Sequence, residues 1–375
     1  MTEFVTQGRL PDFPLWKKTA DRRVPLDFSL ELTARCNNDC AHCYINLLAG
    51  DPEARRKELT VAEISDIAGQ AAGLGAMWCL ITGGEPLLRQ DFAEIYLALK
   101  RKGLLLSLFT NACLVDEDHI AFLKKYPPRD VEVTVYGVTQ ETYERVTRKP
   151  GSYAAFRRGL DLLLASGLKV HLKAMALRSN VHELAEIAAF CRTHSSEVFR
   201  FDPLLHLRYD QDPARNAEIL AERLSPAEIV AVEQADEERA GALVENCDKF
   251  IFDDYLGHVC DHLFHCGAGN KSFSVSYDGM FHLCSSLWDP DTVVDLRQVS
   301  LAQAWNELVP RVREMRSTSP DFLEKCRKCP IINLCLWCPA NAALETGEMD
   351  GYAQYFCDVA HARAAAIQAR RKAKE

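Results

Sequence analysis

Between residues 25 and 208 the sequence alternates a short apolar run with an amphipathic helical segment six times. The apolar runs are residues 26–32, 76–82, 104–110, 131–136, 168–176 and 197–202, and the first, LDFSLEL, has the period of two typical of a strand. Helix signals lie between them: Thr60 and Glu63 have capping-box spacing, Asp116 begins another helix, and Asn180 and Glu183 stand at the start of a later one. Successive strand–helix units predict parallel strands joined by right-handed crossovers. We therefore expect an α/β fold with a partial (β/α)6 TIM-like barrel, whose chemistry lies on the loops after the strands.

The pattern changes after residue 208. A charged helical connector follows, in which Ser225-Pro226-Ala227-Glu228 is a typical helix start. From about Cys260 the cysteines crowd together and most of the periodicity is lost, which is typical of small domains stabilised by metal. We therefore divide the chain into an N-terminal extension (1–24), the barrel (25–208), a helical connector (209–258) and a small irregular metal-binding domain (259–375).

Composition narrows the class of protein. The chain has 44 basic and 53 acidic residues and a net charge of −9, which argues against a nucleic-acid-binding protein. It has no run of about 18 apolar residues and no signal peptide, so we expect no membrane span and a reducing, cytoplasmic location. Disulfides are rare in such a compartment, and the count of 15 cysteines is odd. Clustered cysteines there are more readily explained as metal ligands.

The loop after the first strand carries Cys36, Cys40 and Cys43 at C-x3-C-x2-C spacing. Three thiolates so spaced can bind three irons of one four-iron cluster and leave the fourth iron open for a substrate. A zinc site is the alternative, with His42 as a fourth ligand, but zinc usually takes four ligands in two close pairs. The spacing therefore favours an iron–sulfur cluster.

A second motif, Gly83-Gly84-Glu85-Pro86, follows the neighbouring strand. Its glycines allow the backbone to approach a ligand closely, and the Glu85 carboxylate could receive an ammonium group, although the bare string is also a common turn. Together with the three cysteines and the aromatic Tyr44 directly after them, the motif resembles the radical S-adenosylmethionine (SAM) superfamily over residues 25–208.

The resemblance implies a cofactor site and a reaction. The open iron would bind the amino and carboxylate groups of SAM, and Gly83, Gly84 and Glu85 would hold the amino group. The ends of the fourth and fifth strands would contact the ribose and carboxylate, with Thr134, Tyr136 and Lys173 as candidates. One electron, supplied by a flavodoxin- or ferredoxin-like protein, would cleave SAM to methionine and a 5′-deoxyadenosyl radical that takes a hydrogen atom from a C–H bond.

The C-terminal region contains eight more cysteines in a regular spacing: Cys260-x5-Cys266, Gly279-x4-Cys284, Cys326-x2-Cys329-x5-Cys335-x2-Cys338 and Cys357. Eight thiolates suffice for two fully ligated four-iron clusters, and two zinc sites or scattered buried thiols are the alternatives. The arrangement resembles the SPASM domain, although only Leu336 and Trp337 stand where that family usually has three residues.

The SPASM resemblance implies a ligand assignment. Cys260, Cys266, Cys284 and Cys338 would bind a first auxiliary cluster, and Cys326, Cys329, Cys335 and Cys357 a second. With the cluster on the first loop, the chain would carry three [4Fe-4S] clusters. Four cysteines remain and are expected to be buried thiols, with Cys247 the strongest competitor as a ligand: Cys79, Cys113, Cys191 and Cys247.

The same resemblance implies a peptide or protein substrate whose side chain is oxidised or cross-linked, as in the maturation of ribosomally made peptides. Only about 25 residues precede the first strand, too few for a winged-helix leader-binding module, so a leader would be bound by a separate protein or by the barrel. Asp202 and Asp278 are candidate acid–base groups, with turn or cap roles as the alternative. Ser285, rather than an aspartate, follows Cys284 and argues against sulfatase maturation.

Two other functions remain open from the sequence. One is a radical SAM enzyme that modifies a small molecule such as a tetrapyrrole, which a wide apolar cavity would favour. The other is an iron–sulfur electron carrier, which would not cleave SAM and which the Gly83–Pro86 motif disfavours.

Overall fold

The structure is a computed structural model that describes residues 19, 22–195, 198–247, 250–251 and 260–373. These residues form a nine-stranded sheet in the order β11-β10-β9-β1-β4-β5-β6-β7-β8, and a separate ribbon of β2 and β3. The strands are β1 (Asp27–Glu31), β2 (Arg35–Cys36), β3 (Leu47–Leu48), β4 (Trp78–Thr82), β5 (Leu105–Thr110), β6 (Asp130–Thr134), β7 (Val170–Met175), β8 (Arg200–Asp202), β9 (Ser272–Val275), β10 (Met280–His282) and β11 (Val294–Asp295).

Helices connect and flank these strands. Those of the barrel and connector are α1 (Pro52–Lys57), α2 (Val61–Leu74), α3 (Phe92–Arg101), α4 (Glu117–Lys125), α5 (Gln140–Thr147), α6 (Ser152–Ala165), α7 (Leu184–His194), α8 (Pro213–Glu222), α9 (Pro226–Ala235) and α10 (Glu237–Cys247). Those of the C-terminal segment are α11 (Leu301–Gln303), α12 (Val309–Arg313), α13 (Ile332–Cys335), α14 (Pro339–Thr346) and α15 (Gln354–Lys372).

The six predicted strand–helix units are present. Strands β1, β4, β5, β6, β7 and β8 pair in that order, and every pair is parallel. The expectation of a partial (β/α)6 barrel is therefore confirmed. Within the described residues, the sheet does not close on itself, because β8 is an edge strand.

The C-terminal segment adds to this sheet. Strand β9 pairs in parallel with the free side of β1, with Asp27 opposite Ser272, and β10 and β11 extend the sheet antiparallel. The Phe28 and Phe273 rings stack across the β1–β9 pair with centroids 5.1 Å apart. One continuous sheet therefore crosses the position near residue 259 where the sequence suggested a boundary, and the division into four segments remains a prediction.

Local signals account for several helix ends. Thr60 and Glu63 form the predicted capping box, and Gly75 ends α2 with a φ of 114°. Asp116 caps α4 through the His119 N–H.

Asn180 and Glu183 stand at a helix start, as expected: Asn180 precedes a 3-10 turn, Val181–Glu183, that leads directly into α7. Helix α7 begins at Leu184, and the Asn180 amide donates to the carbonyl oxygens of Tyr136 and Met175, at 2.9 and 3.0 Å. The side chain therefore joins the ends of β6 and β7, a role that a local sequence pattern does not reveal.

Among the described residues, no helix has both the length and the apolar character needed to cross a bilayer.

Candidate active site

A cavity of about 390 Å³ lies at the carboxyl ends of the six parallel strands. Each strand contributes inward-facing side chains, because alternate residues of a strand point to the same face. The strand residues that line the cavity are Ser29, Glu31, Leu80, Thr82, Phe109, Thr110, Glu132, Thr134, Lys173, Met175 and Asp202. The carboxyl ends of parallel strands are the position where chemistry was predicted.

The three cysteines of the first loop line this cavity. The Asn38 N–H and the Asn111 side-chain amide donate to the Cys36 sulfur, at 3.4 and 3.6 Å. The three sulfur atoms do not all lie within 4.8 Å of one another, whereas ligands of one tetrahedral zinc ion would be about 3.8 Å apart. Three thiols on one cavity wall, with N–H donors to sulfur, fit an iron–sulfur cluster that keeps one iron open.

His42, the alternative fourth ligand of a zinc site, lines the same cavity as the three cysteines. Burial lowers the pKa of its imidazole to about 4, and the ring meets Tyr136 edge-on with centroids 5.1 Å apart. The neutral ring is therefore packed against an aromatic side chain of the barrel.

The Gly83–Pro86 motif needs its glycines because residues 33–35 of the same chain pass very close to it. A Cβ on Gly83 would lie 2.3 Å from the Thr33 carbonyl oxygen, and one on Gly84 would lie 2.3 Å from the Arg35 carbonyl oxygen. The Gly84 N–H donates to the Thr33 carbonyl at 2.6 Å. Both glycines also line the cavity, as expected for residues that hold SAM. The close backbone approach that the sequence predicted is thus made to residues 33–35, the segment that leads into Cys36.

Glu85 is fully buried and does not line the cavity. Its carboxylate accepts hydrogen bonds from the Leu87 N–H, the Thr110 hydroxyl and the Asn111 N–H, at 3.1, 2.8 and 2.7 Å. Burial raises the pKa of this carboxyl to about 7, against the effect of these donors. The side chain therefore joins the motif to the end of β5, and direct contact of Glu85 with an ammonium group remains a prediction.

Three arginines that the sequence analysis missed bind the backbone of the cysteine loop. Arg148 donates to the Asp39 carbonyl at 2.6 Å, Arg215 to the Cys40 carbonyl at 3.3 Å and Arg208 to the Cys43 carbonyl at 3.5 Å. They come from the end of α5, from α8 and from the segment before α8. No motif marked them, because their role depends on contacts between distant parts of the chain.

The other predicted cofactor residues are brought together. Tyr44, Thr134, Tyr136 and Lys173 all line the cavity. The Lys173 ammonium pairs with Glu132 at 2.6 Å and lies 3.7 Å from the centroid of the Phe109 ring. Burial lowers the pKa of Lys173, and Glu132 opposes that effect.

The two predicted acid–base residues are separated. Asp202 lines the cavity, and its Oδ1 accepts a hydrogen bond from the Leu204 N–H at 2.9 Å. Asp278 lies in the β9–β10 turn and accepts a hydrogen bond from the Ser276 hydroxyl, outside the cavity lining.

A second cavity, of about 320 Å³, is lined by five of the C-terminal cysteines: Cys326, Cys329, Cys335, Cys338 and Cys357. Burial, with the neighbouring thiols as a smaller cause, raises the pKa of Cys335 to about 12. Thiols that raise one another's pKa gain stability when a metal binds their thiolates. The four predicted ligands of the second auxiliary cluster therefore share one cavity and fit such a cluster.

The predicted ligands of the first auxiliary cluster are partly assembled. Burial is the main cause that raises the pKa of Cys284 to about 11, and the nearby thiols of Cys338 and Cys266 contribute. Cys260 is engaged differently, because its sulfur lies 2.8 Å from the His262 Nδ1. The four-cysteine set therefore remains a prediction.

Of the four remaining cysteines, Cys79, Cys113 and Cys191 are buried, as predicted for small core thiols. Cys247, on α10, packs beside Cys329 and Cys335 around a small apolar cluster.

The two cavities share a wall. Leu204 lines both of them, and the neighbouring His206 Nδ1 lies 2.7 Å from the Asn341 side-chain oxygen on α14. Ser285, which follows Cys284, also lines the first cavity. The residues after β8 therefore separate the cavity of the first cysteine loop from that of the C-terminal cysteines.

Two family models match the chain. The model of the Radical SAM superfamily matches residues 30–191, and the model of the SPASM iron-sulfur cluster-binding domain matches residues 266–330.

Relatives of the chain are named for different functions. The chain is 27% identical to the PqqA peptide cyclase of Gluconobacter oxydans over 81% of this chain and 82% of that one. It is 25% identical to the antilisterial bacteriocin subtilosin biosynthesis protein AlbA of Bacillus subtilis, over 84% and 67%. It is also 24% identical to the Fe-coproporphyrin III synthase of Methanosarcina barkeri, over 81% and 80%.

Solved structures share the fold. Native anSMEcpe with bound AdoMet aligns with a TM-score of 0.67 at 13% identity, covering 92% of this chain and 98% of that one. Streptococcus suis SuiB bound to its precursor peptide SuiA aligns with a TM-score of 0.62 at 16% identity, covering 92% and 78%.

Proposed function

Because this chain is an enzyme of the radical SAM superfamily with a C-terminal SPASM domain, we propose that it oxidises or cross-links a side chain of a peptide or protein. Two relatives named as a peptide cyclase and a bacteriocin biosynthesis protein support a peptide substrate. Hydrogen-bonding side chains among the residues that line the cavity, such as Asn111, Thr134 and Asp202, could also bind the polar groups of a peptide.

The shared wall between the two cavities is the observation on which the proposal rests. Removing a hydrogen atom from a side chain leaves a radical, and forming an oxidised or cross-linked product requires that one more electron leave the substrate. Leu204 and Ser285 bring the C-terminal cysteine region to the edge of the barrel cavity. An electron acceptor bound there would lie close to the substrate.

The cofactor groups have proposed ligands. Cys36, Cys40 and Cys43 would bind the cluster that SAM contacts, and the eight C-terminal cysteines would bind two auxiliary clusters. When bound, these clusters supply one-electron chemistry, which is reductive cleavage of SAM at the first site and acceptance of an electron at the auxiliary sites. Gly83, Gly84, Thr134, Tyr136 and Lys173 would position SAM.

Asp202 is the proposed proton acceptor. It lines the cavity on the side nearest the shared wall, where the substrate radical would lose a proton together with its electron. Asp278 is less well placed, because it does not line the cavity, and its proposed role is electrostatic.

Two protein partners are part of the proposal. A flavodoxin- or ferredoxin-like protein would deliver the first electron, since reductive cleavage of SAM consumes one. A separate leader-binding protein, or the barrel itself, would select the peptide.

The test is a mass spectrum of a short peptide encoded beside the gene, co-expressed with the enzyme. We expect the peptide to lose two hydrogens, about 2 Da, and Cys36→Ala to abolish the loss. Cys79→Ala is the matched control, because Cys79 is a buried thiol on β4 outside the cavity lining, so the mass loss should persist. An unchanged peptide mass, with SAM still cleaved, would contradict the proposal.

The tetrapyrrole alternative has one specific observation in its favour, the similarity to an Fe-coproporphyrin III synthase. It predicts that the purified enzyme turns over a coproporphyrin while leaving the peptide unchanged. An electron carrier, the other alternative, would form no 5′-deoxyadenosine under reducing conditions.

A further inference from the structure

The last residue of β1, Glu31, is a carboxylic acid placed inside the barrel cavity. It lines that cavity but is only 4% exposed. Among the described residues, none makes a hydrogen bond or an ion pair to its carboxyl group. Buried polar groups are normally hydrogen-bonded, and a buried acid without a partner is costly.

The groups around Glu31 are acidic or neutral. Asp278, from the β9–β10 turn, acts on its carboxyl through its charge. Tyr44, Tyr209 and Tyr277 are close enough for their own ionisation to be opposed by Glu31. Burial, with the Asp278 charge second, raises the pKa of Glu31 to about 8. Among the described residues, no positively charged side chain is found to act on the Glu31 carboxyl.

The cation of the cavity is already engaged. Lys173 pairs with Glu132 at 2.6 Å, and Arg200 lies 3.3 Å from the same carboxylate. Glu132, Lys173 and Arg200 lie on β6, β7 and β8, and β4 and β5 separate these strands from β1 in the sheet. Within the part of the chain that the structure describes, Glu31 therefore faces the cavity without a counter-ion of its own.

We propose that Glu31 is the counter-ion of a positively charged group, an ammonium or a guanidinium, that enters the barrel cavity. The source of this chemistry is a basic side chain of the peptide substrate, and this part rests on the proposed function. The amino group of SAM is not that cation, because it would bind the open iron as a neutral amine.

The experiment compares the reconstituted holoenzyme with Glu31→Gln and with Asp27→Asn. Asp27 is the matched control, because it is an exposed carboxylate on the same strand. The first arm measures SAM binding by equilibrium dialysis. The second uses immobilised enzyme and a peptide library in which the central residue is randomised. The quantity measured is the frequency of lysine and arginine at that position in the retained peptides, divided by the frequency of glutamine and methionine.

We expect Glu31→Gln to lower the preference for basic residues about tenfold, as for loss of a charge-assisted hydrogen bond, and to leave SAM affinity unchanged. Asp27→Asn should change neither quantity. An unchanged basic preference, or a loss confined to SAM affinity, would overturn the proposal. Neither arm requires turnover, so a failed peptide co-expression experiment would be distinguishable from a failure of this inference.

A pH series on the unmodified enzyme covers the case in which Glu31→Gln does not fold, as judged by its iron content. Ionisation of Glu31 should strengthen cation binding, so the affinity for arginine peptides should rise about tenfold between pH 6.5 and 8.5. A flat profile would overturn the proposal.

Discussion

The guanidinium of Arg208 lies 3.5 Å from the carbonyl oxygen of Cys43, the third cysteine of the first loop. The same nitrogen lies 3.3 Å from the Asn46 carbonyl oxygen and 3.2 Å from the Asn46 side-chain oxygen. Arg208 is only 2% exposed and pairs with Asp210 at 2.6 Å. A residue after the last barrel strand thus determines the backbone position of a proposed cluster ligand.

Replacing Arg208 should therefore weaken the first cysteine loop. We expect Arg208→Ala to lower stability by about 3 kcal/mol, because it removes one buried donor from the Cys43 and Asn46 carbonyls and the cationic partner of Asp210. The readouts are the melting temperature and the iron content of anaerobically purified protein. Arg158→Ala, at an exposed position of α6, is the control and should change neither. Equal iron content in the two variants would contradict the role of Arg208.

Gly84 should not tolerate a side chain. The Cβ of Gly84→Ala would lie 2.3 Å from the Arg35 carbonyl oxygen and 2.7 Å from that of Ala34, so we expect a loss of about 2–3 kcal/mol and impaired SAM binding. The control is Gly73→Ala in α2, where nothing lies within 4 Å of an added Cβ. That change should stabilise the protein by about 0.5–1 kcal/mol, and thermal unfolding with SAM titration compares the two.

Glu31 should make stability depend on pH. Its pKa is raised from the ordinary value of 4.5 to about 8, so between these values the folded state binds a proton that the unfolded state has lost. The contribution of this group to stability therefore falls as pH rises through that range. Without SAM, Glu31→Gln should gain about 4 °C in melting temperature relative to the parent protein between pH 5 and pH 8. A constant difference would show that Glu31 is not protonated in the folded state.

Cys335 should be needed for full iron content, whereas a buried thiol of the barrel should not. We expect Cys335→Ser to lose about four iron atoms per chain, because Cys335 lines the cavity shared by the proposed ligands of the second auxiliary cluster. Cys191→Ala is the control, since Cys191 is a buried thiol of α7 away from both cysteine cavities. Iron analysis and the visible absorption of anaerobic protein measure the difference. Full iron content in Cys335→Ser would exclude Cys335 as a required ligand.

Much of the barrel was predictable, because its signals are local. The alternation of apolar runs and amphipathic segments predicted the six parallel strands, and Thr60 and Asp116 predicted two helix starts that the structure confirms. The spacing of Cys36, Cys40 and Cys43 placed three thiols on one loop, and the structure places them on one cavity wall.

Other roles depended on contacts between distant segments. The polar positions 27, 29 and 31 of the first strand are visible in the sequence, but their pattern does not reveal that Glu31 is buried beside Asp278. Likewise, the Gly83–Pro86 motif does not reveal that the Glu85 carboxylate accepts hydrogen bonds from three donors, two of them at the end of β5.

The sequence by itself determined the order of the strands, the loop that carries the first three cysteines and the eight thiols near the C-terminus. Local periodicity and ligand spacing are sufficient for these features, because they involve neighbouring residues. Only the tertiary structure decided that β9 extends the sheet beside β1, that Arg208 binds the cysteine loop and that Glu31 faces the cavity with no counter-ion among the described residues. These features arise from burial and from the meeting of distant segments, which a linear pattern does not specify.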